Sequence, residues 1–188
     1  MKKVNTKFHP LELFFIAITA LITIFICSKS SPLYPLNDWV DSNCYMTVGR
    51  AMLNGDVPYR DLFEHKGPLL YMLHVVTALI SNSTFFGVFL LEIAACLCFL
   101  TLAYKIILII CNSRPIFLIP LISMIIYSSK AFCHGDSAEE LCQPILLASF
   151  YIGLKSIQDK RTLSNVESIC IGIFSSIVLW TKFSLLGF

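Results

Sequence analysis

Residues 38–71 read DWVDSNCYMTVGRAMLNGDVPYRDLFEHKGPLLY and form the most polar long stretch of a very apolar chain. They hold Asp38, Asp41, Asp56, Asp61, Glu64, Arg50, Arg60, His65 and Lys66. A loop this charged beside apolar segments is either a soluble connector or the place where chemistry happens. Its internal pattern favours a structured unit. Tyr45, Val48 and Met52 recur at helical spacing, which predicts a helix over 41–54. Asp41 stands at its start, where a carboxylate can cap free N–H groups. Asn54-Gly55 ends it, and Gly55-Asp56-Val57-Pro58 is a turn. A second helix is predicted over 68–80. Its Leu69, Leu70, Leu73, Val76 and Leu79 form a face for lipid or protein, with His74 and Thr77 opposite.

The rest of the chain reads as membrane. Of 188 residues, 56% are hydrophobic and only 14% charged, with a mean hydropathy of +0.76. Soluble domains run nearer a quarter charged, so the composition is that of an integral membrane protein. The net charge of +2 says little about partners, and no nucleic-acid partner is expected. The eight cysteines (27, 44, 96, 98, 111, 133, 142 and 170) show no CxxC or Cys/His ligand spacing and read as small buried hydrophobes. Cys44, Cys133 and Cys142 are the ones within reach of an oxidising compartment, and nothing in the spacing pairs them.

Apolar segments at 11–28, 84–110, 115–132, 141–157 and 166–185 are the expected spans, five in all. The first follows Lys2, Lys3 and Lys7 and reads as an uncleaved anchor. Segment 68–80 is too short to cross. With the N-terminus cytoplasmic, the alternation leaves residues 29–83 outside. It brings Lys105, Arg114, Lys155, Lys160 and Arg161 to the inner face and sends 133–140 outward, as the positive-inside rule asks. A sixth span would reverse those clusters. The expectation is an all-α integral membrane protein, a single module over 1–188 in the cell membrane, with two juxtamembrane helices in its first outer loop.

Four motifs in order resemble those of GT-C-fold glycosyltransferases, the membrane enzymes that use polyprenyl-phosphate sugars. These include protein O-mannosyltransferases and the bacterial transferase that places aminoarabinose on lipid A. Asp41 opens a surface helix after the first span; Phe63-Glu64-His65-Lys66-Gly67-Pro68 opens the second. His134-Gly135-Asp136-Ser137-Ala138-Glu139-Glu140 follows the third span, and Thr181-Lys182 lies near the end of the fifth. The likeness covers nearly the whole chain and is to the N-terminal part of such enzymes. Two features depart from it. Asp41 is followed by Ser42, where the mannosyltransferase pattern has an Asp-Glu pair. Members of the family also carry further spans, so the chain reads as incomplete beside them.

The resemblance implies transfer of a sugar from a polyprenyl-phosphate donor to an extracytoplasmic acceptor, a cell-envelope glycan, lipid or protein. Such a reaction needs a base for the acceptor hydroxyl, positive charge for the departing phosphate and an apolar groove for the lipid tail. Asp41 takes the position of the family's catalytic aspartate and is the expected general base, with Asp38 its near rival. Lys66, beside a helix N-terminus, is the expected phosphate contact, with Arg60, Lys182 and Glu64 as further binding residues. Asp61, Glu64 and His65, or Asp136, Glu139 and Glu140, are carboxylate-rich sets that suit magnesium or manganese; Asp136 or Glu139 can alternatively orient the acceptor, with His134 in the same patch. Glu92 falls inside the second span and should face a polar cavity or a cation, with Lys182 the expected partner. The rival reading is a non-catalytic membrane protein: part of a transporter or flippase, an envelope-assembly subunit or an inactive relative. Charges gathered in outer loops, without paired broken spans, argue against a transporter.

Overall fold

The computed structural model describes residues 8–130, 132 and 134–187. The described residues form seven α-helices and no strand: α1 (Pro10–Cys27), α2 (Val40–Leu53), α3 (Pro68–Ile80), α4 (Phe86–Cys111), α5 (Leu118–Tyr127), α6 (Ala138–Gln158) and α7 (Asn165–Thr181). A short 3-10 turn, Phe183–Gly187, follows. Lys2, Lys3, Lys7 and Cys133 lie outside the described residues.

α4 is the axis. It packs against α1, α3, α5 and α6, while α2 lies on α3, and α7 lies against α6 and α3. α1 runs antiparallel to α4. At one end the Ser28 hydroxyl reaches Glu92; at the other, Tyr104 Oη and Arg114 bind Glu12 at 2.6 and 2.7 Å. The main core lies between α1, α4 and α5, with Ile16, Ala20, Ile24, Leu100, Tyr104 and Ile119 buried.

α1 and α4 are long and apolar enough to cross a membrane, which suggests membrane association. α1 is no soluble core helix, for Leu11, Phe14, Ile22 and Ile26 are all exposed. Helix association in lipid draws little from hydrophobicity, since acyl chains are as apolar as leucine; close packing and interhelical hydrogen bonds take its place. The buried Thr23–Ser123 hydroxyl pair at 2.6 Å, between α1 and α5, is one such bond.

One expectation changes. The segment expected to span 115–132 holds a helix of only 10 residues, α5, about 15 Å long and half a hydrocarbon core. Asn112 in the left-handed region (φ 51°) ends α4, and the chain turns at 115–117 before α5 begins. The bounds of α3 are as expected, and of its two faces the one carrying His74 and Thr77 is turned inward. Leu70, Tyr71, His74, Thr77 and Ala78 are buried, while Met72, Val76, Leu79 and Ile80 are exposed. The polar face turns inward because partners wait there.

Candidate functional site

α2, α3, the loop before α6 and the last residues of α7 meet at one end of the bundle. Asp41 is the second residue of α2. Trp39 holds the cap position and makes no side-chain cap bond, so Asp41 is not the expected N-cap. Its carboxylate instead accepts from Tyr45 Oη at 3.1 Å and stands 3.9 Å from Lys66 Nζ. Burial, then the charge of Asp41, pushes the Tyr45 hydroxyl above its ordinary pKa, so it remains a donor.

Lys66 is held by its backbone. Its N–H donates to Tyr71 Oη at 3.1 Å and its carbonyl accepts from Tyr59 Oη at 2.5 Å. Gly67 N–H then donates to the Thr181 carbonyl at 3.0 Å. A Cβ on Gly67 would strike the Trp180 carbonyl, so only glycine lets α3 start against the end of α7. The Lys66 side chain is 12% exposed, against 43% for Asp41. Its ammonium lies 6.0 Å over the Tyr45 ring and finds no hydrogen-bond acceptor among the described residues. A desolvated cation without an acceptor is suited to an incoming anion. Beside it Lys182, at the C-cap of α7, forms an ion pair with Glu139 in the first turn of α6. The charges of Lys182 and Lys66 both act on Glu139. A groove of about 540 Å³ lies between α3 and α7, walled by Pro68, Leu69, Met72, Ile173, Ile177 and Trp180; Pro68 and Trp180 each stand two residues from a lysine of the cluster.

Under the cluster lies a fully buried polar network. Glu92 accepts from Ser28 Oγ at 2.7 Å and from the Asp136 N–H at 2.6 Å. This corrects the expected Glu92–Lys182 pair; Lys182 belongs to Glu139. Asp136 accepts from Ser42 Oγ of α2 at 2.6 Å and faces His74 Nε2 of α3 at 3.1 Å from each carboxylate oxygen. Asp136 and Gly135 both lie in the left-handed region (φ 52° and 75°). A Cβ on Gly135 would collide with Glu92 Oε1 and Ser28 Oγ. The His134-Gly135-Asp136 motif is therefore a tight turn that drives Asp136 inward.

The remaining expected residues fall elsewhere. Arg60 is engaged by Asp61, with Nε–Oδ1 and Nη2–Oδ2 at 2.9 and 2.7 Å, and Asp61 also accepts the Val57 N–H. The Arg60 hydrogen bond holds the Asp61 carboxyl below its usual range. Asp38 forms an ion pair with Lys29, which likewise lowers its carboxyl. Glu64 turns back on His65, its Oε1 2.7 Å from both the backbone N and Nδ1. His134 stacks on Trp39 with ring centroids 4.5 Å apart. Glu140 is fully buried. Among the described residues its carboxylate meets no donor at good geometry, although the backbone of Ser137 and Asp136 lies nearby. Among the described residues no three His, Cys, Asp or Glu side chains form a metal-ion site. Neither expected set assembles. Asp136 faces His74, Glu139 faces Lys182, Asp61 faces Arg60 and Glu64 faces His65.

Thus Asp41, Lys66, Glu139 and Lys182 come together, and Arg60, Asp61 and His65 do not join them. Ser28, Ser42 and Tyr45 were not expected. Serines and tyrosines carry no signal of their own in sequence; their roles come from partners 64 and 94 residues away and from a carboxylate one helical turn back.

The architecture defines a class, an all-helical protein with two membrane-length helices and a polar site closed over one end of its bundle. No family model matches the chain, and neither a curated protein nor a solved structure matches it.

Proposed function

We propose that the chain is the GT-C-like N-terminal module of a membrane glycosyltransferase, one that moves a sugar from a polyprenyl-phosphate donor to an extracytoplasmic acceptor. The observation that carries this reading is the meeting of Asp41, Lys66, Glu139 and Lys182, with an apolar groove lined by Pro68 and Trp180, two residues from Lys66 and Lys182. Asp41 is the exposed carboxylate and takes the proton of the acceptor hydroxyl. The hydroxyl oxygen forms the new bond to the anomeric carbon as the bond to the phosphate oxygen breaks. The departing polyprenyl phosphate keeps that electron pair, and the Lys66 ammonium meets its added charge. The α3–α7 groove takes the tail.

The same reading sets five crossings, α1, α4, α5, α6 and α7, in the cell membrane with the N-terminus cytoplasmic. The alternation of helix ends supports it. Lys105, beside Phe8 and Tyr151, and Arg114, beside Glu12, stand at the end opposite the site. Segments around α5 too short to cross alone are carried by their packing on α1 and α4.

Asp41→Asn tests the assignment. Transfer from a polyprenyl-phosphate sugar to added acceptor should fall by roughly 10²–10⁴-fold, the usual worth of a general base, with membrane insertion intact. An unchanged rate would remove Asp41 from the chemistry.

A further inference from the structure

His74 is the most deeply buried base beneath the site, and its surroundings fix where its protons lie. Nδ1 is 2.8 Å from the Leu70 carbonyl, a group that only accepts, so Nδ1 carries hydrogen. Nε2 faces both carboxylate oxygens of Asp136 at 3.1 Å. A neutral ring with its hydrogen on Nδ1 would set a bare nitrogen against a carboxylate, two acceptors face to face, with neither reaching water. The pair therefore holds one more proton than a neutral imidazole beside a carboxylate. Asp136 also accepts from Ser42, which is itself bonded by Asn37 Nδ2 at 3.2 Å.

We propose that His74 is held as an imidazolium against Asp136, and that this buried ion pair is the positioning element that sets Asp41 and Lys66 against the start of α6. The connections run through one carboxylate. Ser42 is the neighbour of Asp41 on α2. His74 lies two turns along the helix that Lys66 precedes. Asp136 stands three residues before Glu139, and its N–H ties the turn to α4 through Glu92. His74 and Asp136 touch no substrate in this scheme; they act through the residues they place. The proposal rests on the glycosyl-transfer reading for what Asp41 and Lys66 do, but not for the charge on His74.

Other charged or titratable groups around His74 do not displace this pairing. α2 presents the Tyr45 ring, 5.4 Å away and edge-on. α4 presents Glu92, which is bonded to Ser28 and to the Asp136 backbone. α6 presents Glu140, whose charge acts on Glu92, and Glu139, which is paired with Lys182 of α7. Burial by itself lowers the imidazole pKa. The charge and hydrogen bond of Asp136, with the Leu70 carbonyl, outweigh it and leave His74 above its ordinary 6.5. A base with a raised folded-state pKa stabilises fully below its unfolded value, and the effect is lost as pH rises through the folded value. The clamp should hold below about pH 6.5 and weaken on the alkaline side.

The test uses the whole chain in detergent, with farnesyl phosphate as probe, from about pH 6 to about pH 9. In the wild type the thermal midpoint and the affinity for the probe should both fall with rising pH. His74→Gln keeps a donor toward Asp136 but cannot titrate, so both profiles should flatten. The same pH profile in His74→Gln and wild type would overturn the proposal. A direct measurement needs no variant: ¹⁵N-histidine spectra at about pH 7 should show a solvent-protected imidazole with both ring nitrogens protonated, and a bare ring nitrogen there would overturn it. If farnesyl phosphate binds at no pH while the midpoints still diverge, the ion pair stands and the transferase reading falls.

Discussion

Replacing Lys66 by methionine removes a charge while keeping most of the side chain's volume. The structure sets the size of the effect. The Lys66 side chain is 12% exposed, its ammonium is 3.9 Å from an Asp41 carboxylate oxygen, and among the described residues no acceptor completes its hydrogen bonding. Two unit charges ~4 Å apart interact by ~4 kcal/mol at an effective dielectric of ~20, before desolvation is counted. A hydrogen bond to a charged group nets about 1.5–3 kcal/mol. At ~1.4 kcal/mol per decade, Lys66→Met should weaken farnesyl phosphate binding by about 10–150-fold. Loss of the cation also leaves Asp41 to repel the phosphate, so the upper part of that range is expected. Arg60→Met is the matched control, because the Arg60 side chain is 69% exposed and tied to Asp61; it should leave affinity within about twofold, as exposed ion pairs contribute little. Equilibrium binding in detergent at low and high salt provides the measurement. Equal losses in the two variants, or a loss below about threefold in Lys66→Met, would refute the assignment of Lys66 as the anion contact.

Two further predictions concern the frame. Gly135→Ala forces a side chain into a left-handed position and against Glu92 and Ser28. The backbone conformation alone costs ~1–3 kcal/mol, so the thermal midpoint should drop sharply. Gly153→Ala, inside α6 with open space around it, should raise the midpoint by relieving the helix of a glycine; equal shifts would show that the turn is not strained. Reporter fusions after Ser83 and after Arg114 should report outside and inside respectively, and the reverse pattern would make α3 a true crossing.

The sequence by itself determined the helical composition, the bounds of α3 and the membrane character of α1 and α4, because these follow from local periodicity and from the length of apolar runs. Composition alone marks the charged loop; what sets Asp41 and Lys66 apart within it is the resemblance to the glycosyltransferases. Only the tertiary structure decided their partners. The expected cap at Asp41 became a contact with Lys66 and Tyr45, because Trp39 begins the helix earlier. The expected pairing of Glu92 with Lys182 failed because the turn at Gly135 brings the Asp136 N–H to Glu92 first. The pattern set His74 opposite the apolar face of α3 without deciding which face meets protein, and the structure buries the polar one. In lipid the apolar side of a helix needs no cover, and its polar side must find partners within the protein. The partner of His74, Asp136, lies 62 residues away along the chain, where no local pattern reaches.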